Sequence, residues 1–355
     1  MEKEWTIRQY EEGDEIKIKE LKEAVYQKDW ENIFYWNWKY KENSAGFYKD
    51  IIWVAEDKTE DKIVGHYTII PVYIKIGKKT ILGSQSVDTA THPDYRRQGI
   101  FEVLAKKCYQ SAWENGISVT YGFASEGPSY YGFLKKLDWV HICFLREMLH
   151  IINIDRFNET RNISVFRKII EKEVLKLKKS PKIDKPNDIE FSTITKFDDR
   201  IDAFWKEVSQ NYHLIIKRDK SFLNWRISNP SQNYQVMIAE KGGKIVAYTI
   251  FVDIIEKGRK KGVIVDLLAL NRHTDAAEYL LYLVKENYIK NKIDFVISRI
   301  PESHDYYTLF KKLGFSAIKT RMGFIGRTNH PKKFFRDEIA DIEKWFVTFC
   351  DSDHI

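Results

Sequence analysis

HPDYRRQGIF, residues 92–101, joins two segments of opposite periodicity. Upstream, ILGSQSVDTAT (81–91) alternates apolar and polar residues with the β-branched content of a strand. Downstream, EVLAKKCYQSAW (102–113) carries on from Phe101 with apolar residues at Leu104, Ala105, Cys108 and Ala112, a helical spacing. The stretch is therefore a strand-to-helix turn holding two arginines and a glycine. A helix N-terminus leaves backbone N–H groups without intrahelical partners and carries partial positive charge. Glycine lets a ligand approach that backbone, and arginines add charge-assisted bonds, so such a turn suits a pyrophosphate. Neither GxGxxG nor a P-loop is present, so this is not the usual nucleotide cradle.

The chain of 355 residues is 43% hydrophobic and 31% charged, enough for a sizeable core and two ordinary domains. Its formal charge of +7 comes from scattered lysines rather than an arginine-rich arm, which argues against nucleic acid and for an anionic small molecule. Cys108, Cys143 and Cys350 lack metal-type spacing, and the N-terminus is charged, so no metal and a reducing cytoplasm are expected. No run approaches the roughly 18 apolar residues of a membrane span.

The sequence repeats itself. KIVGHYTII (62–70) is answered by KIVAYTIFV (244–252), each after a short strand, IIWVAED or YQVMIAEK, and each before a β-rich run ending in Val87-Asp88 or Val265-Asp266. Asn37-Trp38-Lys39 resembles Asn224-Trp225-Arg226, and FLKKLDW (133–139) resembles LFKKLGF (309–315). The offset falls in one direction, from 187 residues at the tryptophans to 176 at Phe133 and Leu309, as loop deletions would produce. Two copies of one mixed α/β unit are expected, at 1–152 and 190–327. Between them, 153–189 reads as a helix, with Val165, Ile169, Ile170, Leu175 and Leu177 in register, then a Pro, Lys and Asp linker. The tail 328–355 contains EIADIEKWFVTF, expected as a helix on the second unit. After Val265-Asp266 the second copy has LLALNRHTDAAEYLL, without the glycine or the paired arginines, so one site is implied.

Strand, His-Pro-x-Tyr-Arg-Arg-Gln-Gly-Ile, helix, second strand (SVTYGFAS, 118–125) and FLKKLDW together resemble the core of the GNAT N-acetyltransferases. Arg96, Gly99 and Phe101 fill the marked positions of that family's Arg/Gln-x-x-Gly-x-Gly/Ala loop. With NWK and NWR and the late Asp-Ser-Asp, the whole resembles tandem-GNAT proteins often found in bacterial surface-polysaccharide loci. The resemblance implies a mixed central sheet flanked by helices in each of two tandem domains, the second lacking the CoA loop. It implies acetyl-CoA as donor, with phosphates on the amides of Arg97, Gln98, Gly99, Ile100 and Phe101 beside Arg96. Pantetheine would add to the backbone edge of Thr89, Ala90 and Thr91, where an N–H polarises the thioester carbonyl.

The family's usual acid, a tyrosine in FYxKxGF, is Leu134 here, and Phe310 stands there in the second copy. Tyr130 and Tyr131, one turn earlier, are the candidate acids, against a reading as core or rim aromatics. A base must free the attacking amine from its proton. Asp88 is the first choice, although Asp266 occupies the same place in the copy without the loop, which favours a structural part. Glu126 is second; His92, His66 and the chain's own terminal carboxylate at Ile355 follow. Trp38 and its repeat read as core packing beside a cation. The resulting expectation is an N-acetyltransferase acting by direct attack on a small-molecule primary amine, with an amino sugar, free or nucleotide-linked, as acceptor. A CoA-binding sensor without activity, or an aminoacyl-tRNA-dependent transferase of the peptidoglycan cross-bridge kind, are the alternatives.

Overall fold

The computed structural model describes residues 4–27, 32–159 and 181–353. The helical pattern read at 165–177 and the terminal Ile355 lie outside the described residues. The first half runs β1 (Thr6–Gln9), α1 (Asp14–Tyr26), α2 (Ile33–Trp36), β2 (Trp53–Asp57), β3 (Lys62–Ile76), β4 (Lys79–Thr91), α3 (Ile100–Glu114), β5 (Val119–Ser125), α4 (Pro128–Lys136) and β6 (Val140–Ile151). After α5 (Ile154–Asn158) come β7 (Glu190–Ile194), α6 (Arg200–Val208), β8 (Leu214–Ile216), α7 (Lys220–Ile227), β9 (Gln235–Lys241), β10 (Lys244–Glu256), β11 (Arg259–Ala269), α8 (Thr274–Lys290), β12 (Phe295–Ser298), α9 (Asp305–Lys312), β13 (Ser316–Thr328), α10 (Arg336–Ala340) and β14 (Trp345–Phe346). The order β2-β3-β4-α3-β5-α4 recurs as β9-β10-β11-α8-β12-α9.

The chain forms two compact units whose borders differ from those expected at 152 and 327. The first takes residues up to 144, then 229–231 and 321–344; the second takes 145–228, 232–320 and the chain from 345 on. The reason is sheet pairing. In the first unit β5 receives its outer neighbour from the end of β13, Met322 facing Ser125 through Thr328 facing Val119. In the second, β12 receives the end of β6, Phe295 facing Ile151 and Ser298 facing Met148. Each sheet is mixed: β4 runs parallel to β5 and β11 parallel to β12, while the other pairs cited are antiparallel.

Side-chain alternation along β3 sorts the layers of the first unit. Gly65 faces α3 so closely that a Cβ there would meet Ile100 Cγ2 at 2.4 Å, and Tyr67 meets the Tyr109 hydroxyl of α3 at 2.7 Å. Between them His66 points the other way, its ring 6.2 Å from that of Trp36 on α2. Helix α3 thus covers one face and α1 with α2 the other.

The tail is not one helix. A short α10, a 3₁₀ turn at Ile342–Lys344 and β14 replace it, and only the chain from Trp345 joins the second unit. Trp345 through Asp351 are consecutively buried, which a helix with one apolar stripe does not produce. This tail completes a buried polar cluster. Arg218, 0% exposed, pairs with Asp266 at 3.1 Å and Asp351 at 2.6 Å, while Tyr248 and Thr348 hydroxyls donate to Asp266 at 2.7 and 2.9 Å.

Removing one carboxylate from such a cluster strands a buried cation, at about 3–5 kcal/mol. Asp266→Ala is expected at the low end, about 3 kcal/mol, because Asp351 remains on Arg218; the midpoint of urea unfolding checks it.

Candidate active site

The turn that opened the sequence reading is anchored from below and bare above. Tyr95 is fully buried and donates its hydroxyl to Asp57 Oδ2 at 2.6 Å, and His92 Nδ1 accepts from the Asp94 amide at 3.3 Å, capping a 3₁₀ turn. Arg96, Arg97, Gln98 and Gly99 are exposed. Trp5 Nε1 donates to the Gln98 side chain at 2.9 Å, whereas the Arg96 and Arg97 guanidiniums have no carboxylate partner among the described residues. Gly99 caps α3 at φ 84°, and a Cβ there would meet nothing within 4 Å. Glycine is set here by the backbone angle, leaving open space over the first amides of the helix. Ile100 packs inward against β3, as shown by the Gly65 contact. Phe101 points away from the turn, its ring 5.2 Å from Phe133 of α4 and 6.1 Å from Tyr67.

Strands β4 and β5 pair from Gly83 facing Val119 to Ser86 facing Gly122 and then part. Beyond Ser86, β4 pairs only with β3, Val87 with Thr68, Ala90 with His66 and Thr91 with Gly65. The edge of Val87–Thr91 that would face β5 is therefore left outside the ladder. Tyr26 of α1 donates to the Thr89 carbonyl at 3.0 Å. At the parting point lies a chain of hydroxyl groups that sequence reasoning did not link: Tyr67 contacts Ser86 at 2.9 Å and Tyr109 at 2.7 Å, and Trp139 Nε1 donates to Tyr109 at 2.8 Å. Its members lie on β3, β4, α3 and the loop before β6, so no local spacing announces it.

Asp88 is corrected from base to anchor. It sits in the β4 bulge at φ 52°, its side chain 1% exposed, with Lys22 Nζ at 2.6 Å, Lys39 Nζ at 3.0 Å and the Tyr40 hydroxyl at 2.5 Å, all on Oδ2. A carboxylate whose charge is already shared by two ammoniums is poorly placed to take a proton from a third. Trp38, buried, packs beside Tyr35, and its neighbour Lys39 supplies one of those cations. His66 is a buried strand histidine: Nδ1 donates to the Asp88 carbonyl at 2.8 Å, and burial, reinforced by Lys22, lowers its pKa to about 3. Cys108 is buried in α3 with its thiol pushed up by desolvation, and donates to the Ile51 carbonyl.

The two tyrosines part company. Tyr130 is 4% exposed, bonds to His141 Nδ1 at 2.8 Å, and is held above its ordinary pKa by burial. Tyr131 is 45% exposed and donates to Glu126 Oε1 at 3.3 Å. Glu126, just past the end of β5, also lies 3.9 Å from Arg321. One candidate acid and one candidate base thus meet on the rim, beyond the point where the strands part. Leu134 lies on the same helix, α4, half-buried.

The second unit differs at the matching edge. Strands β11 and β12 pair from Lys261 to Ile264 and also part. There the Ala269 amide donates to the Tyr306 hydroxyl at 2.7 Å. By the repeat, Ala269 matches Thr91 and Tyr306 matches Tyr130. The same tyrosine closes the strand edge in one unit and turns to His141 in the other.

Residues 6–139 match the family described as Acetyltransferase (GNAT) domain. Similar solved structures include Saccharomyces cerevisiae N-myristoyltransferase with bound myristoyl-CoA, at 16% identity and TM-score 0.63, covering 92% of this chain and 79% of that one. A probable N-acyltransferase from Enterococcus faecalis is 11% identical with TM-score 0.63, covering 94% and 74%. A GCN5-related N-acetyltransferase from Anabaena variabilis is 14% identical with TM-score 0.62, covering 92% and 73%. At these identities the likeness shows the fold. No curated protein matches the sequence. The match to the GNAT acetyltransferase domain spans residues 6–139 and supports an acyltransferase. No helix among the described residues is long and apolar enough to cross a membrane, and no cluster of metal-ligating side chains occurs among them.

Two outcomes follow for the buried charges. Asp88→Asn is expected to lower stability by about 3–5 kcal/mol, since Lys22 and Lys39 lose their shared counter-charge; a base would instead be lost with the fold intact, and urea unfolding separates the two. His66 titrates at 6.5 when unfolded but near 3 when folded. Below pH 6.5 only the unfolded chain gains that proton, so stability falls with pH by up to ~1.4 kcal/mol per unit until about pH 3. In His66→Leu, unfolding measured between pH 7 and 4 should be less steep by that one-proton slope.

Proposed function

We propose that this protein transfers acetyl from acetyl-CoA to the primary amine of a small molecule, directly and without an acyl-enzyme. The observation that carries the reading is the combination, within one unit, of a bare RRQG turn and a parted β4 edge. Acetyl-CoA supplies a thioester whose acyl carbon accepts the amine and whose sulfur leaves as CoA thiol. In this reading the amides of Arg97–Phe101 and the guanidiniums of Arg96 and Arg97 bind the pyrophosphate, while Thr89, Ala90 and Thr91 orient the donor along the strand edge. An N–H of that edge stabilises negative charge on the carbonyl oxygen. Glu126 takes the ammonium proton and Tyr131 donates one to the leaving sulfur, so that one proton is removed and one returned. Cys108, buried and holding its proton, is not in a position to act as nucleophile. The amino-sugar acceptor, free or nucleotide-linked, rests on the tandem-GNAT resemblance, as do the cytoplasmic setting and a part in polysaccharide biosynthesis.

Calorimetric titration of acetyl-CoA into wild type and Gly99→Asp tests the donor site. Micromolar binding is expected for wild type and none for the variant, which combines backbone strain with a carboxylate against the phosphates. A thiol-release assay with a panel of amino sugars and other amines then tests the reaction. Glu126→Gln is expected to lower kcat by about a hundredfold with acetyl-CoA binding unchanged, since general-base contributions lie in the range of roughly 10²–10⁴. Thiol release from no amine would sink the reading.

A further inference from the structure

The second unit holds a concavity of about 570 Å³ between α6, the β9–β10 turn and the β11–α8 turn. Its floor is apolar, with Phe204, Ile245 and Leu270 all buried. Its rim is basic. Arg272 is matched by Glu207, and Arg200 by Asp198 and Glu240. Lys241 and Lys244 have no carboxylate partner among the described residues. These two lysines are also directly paired across the β9–β10 hairpin. Like charges opposite one another on a strand pair are destabilising. The first unit avoids this at the matching hairpin, where Lys62 faces Asp57 across the strands and is ion-paired with Glu60. In the second unit Gly242 and Gly243 fill the turn, so neither lysine has an ion-pair partner in the hairpin, and Glu207, already paired with Arg272, is the carboxylate that acts on Lys244.

We propose that this concavity binds a nucleoside diphosphate, the diphosphate between Lys241, Lys244 and Arg272 and the base or sugar against Phe204 and Leu270. Two adjacent ammoniums and a guanidinium match two phosphate groups, and the anion removes the cross-strand repulsion as it binds. The cations do this work rather than the helix end, because the first turn of α8 carries Asp275. The ligand is not an acyl-CoA seated as in the first unit, since Tyr306 already occupies the backbone amide of Ala269. This site is separate from the donor site and does not depend on the acyltransfer reading.

ADP is titrated calorimetrically into full-length Gly99→Asp, in which the first unit's turn is blocked, and into the same variant carrying Lys241→Glu and Lys244→Glu. Expected are one ADP bound by the first protein, a loss of at least tenfold in affinity in the second, and displacement of ADP by inorganic pyrophosphate. Both lysines are exposed and the reversal exchanges one like-charge pair for another, so unchanged thermal melting is expected and checks the fold. Absence of ADP binding to Gly99→Asp, equal binding after charge reversal, or no displacement by excess pyrophosphate would each overturn the proposal. Lys241→Gln with Lys244→Gln should fall between the two proteins in affinity; no weakening there would likewise count against it.

Discussion

A single buried carboxylate fixes the geometry on which the candidate site rests. Asp88 occupies a left-handed bulge in β4 and holds α1 through Lys22 and the turn after α2 through Lys39 and Tyr40. The helical layer on that face is thereby tied to the strand just where it leaves its parallel neighbour. Neither a water-exposed nor an apolar residue at this position would join the three elements. The second unit solves the same problem with Asp266 and a different cation, Arg218, brought from the start of α7's approach rather than from a first helix. The position is repeated while its partners are not, which is what a mechanical constraint, as opposed to a chemical one, leaves behind.

Much of this was legible in the sequence. The turn at 92–101 showed itself because strand and helix periodicities meet there, and the repeat showed itself because the strand sequences survive in both halves. The arginines and Gly99 lie where that reading put them. What escaped was long-range. The ion-pair partners of Asp88 are Lys22 and Lys39, 66 and 49 positions away, and no spacing rule connects them. Tyr130 and Tyr131 are adjacent in sequence, yet helix geometry sends one into the core and the other to the rim. The tail misled for a physical reason: its aromatic and β-branched run is buried on every side, and periodicity cannot tell such a segment from a helix.

The two units also illustrate how a binding edge is lost without losing the fold. Both retain a bulged strand that parts from its parallel neighbour, and both retain the tyrosine of the following helix. In the second unit that hydroxyl satisfies the strand's amide, so the edge is closed by the protein's own hydrogen bond. An open edge leaves backbone polar groups to water or ligand and is the less stable arrangement. Keeping it open in one unit only confines that cost to the unit that carries the 92–101 turn.

The strand exchange sets the order in which the protein can be built. The first unit contains the turn at 92–101, but the neighbour of its β5 is the stretch Met322–Thr328, synthesised some two hundred residues after it. Until that stretch emerges, β5 presents an open edge, the kind of surface on which partly made chains associate with one another. Closing it requires a contact across some two hundred residues, and contacts of that separation form slowly. The sheet beside the 92–101 turn is thus completed only by a segment translated long after the turn itself.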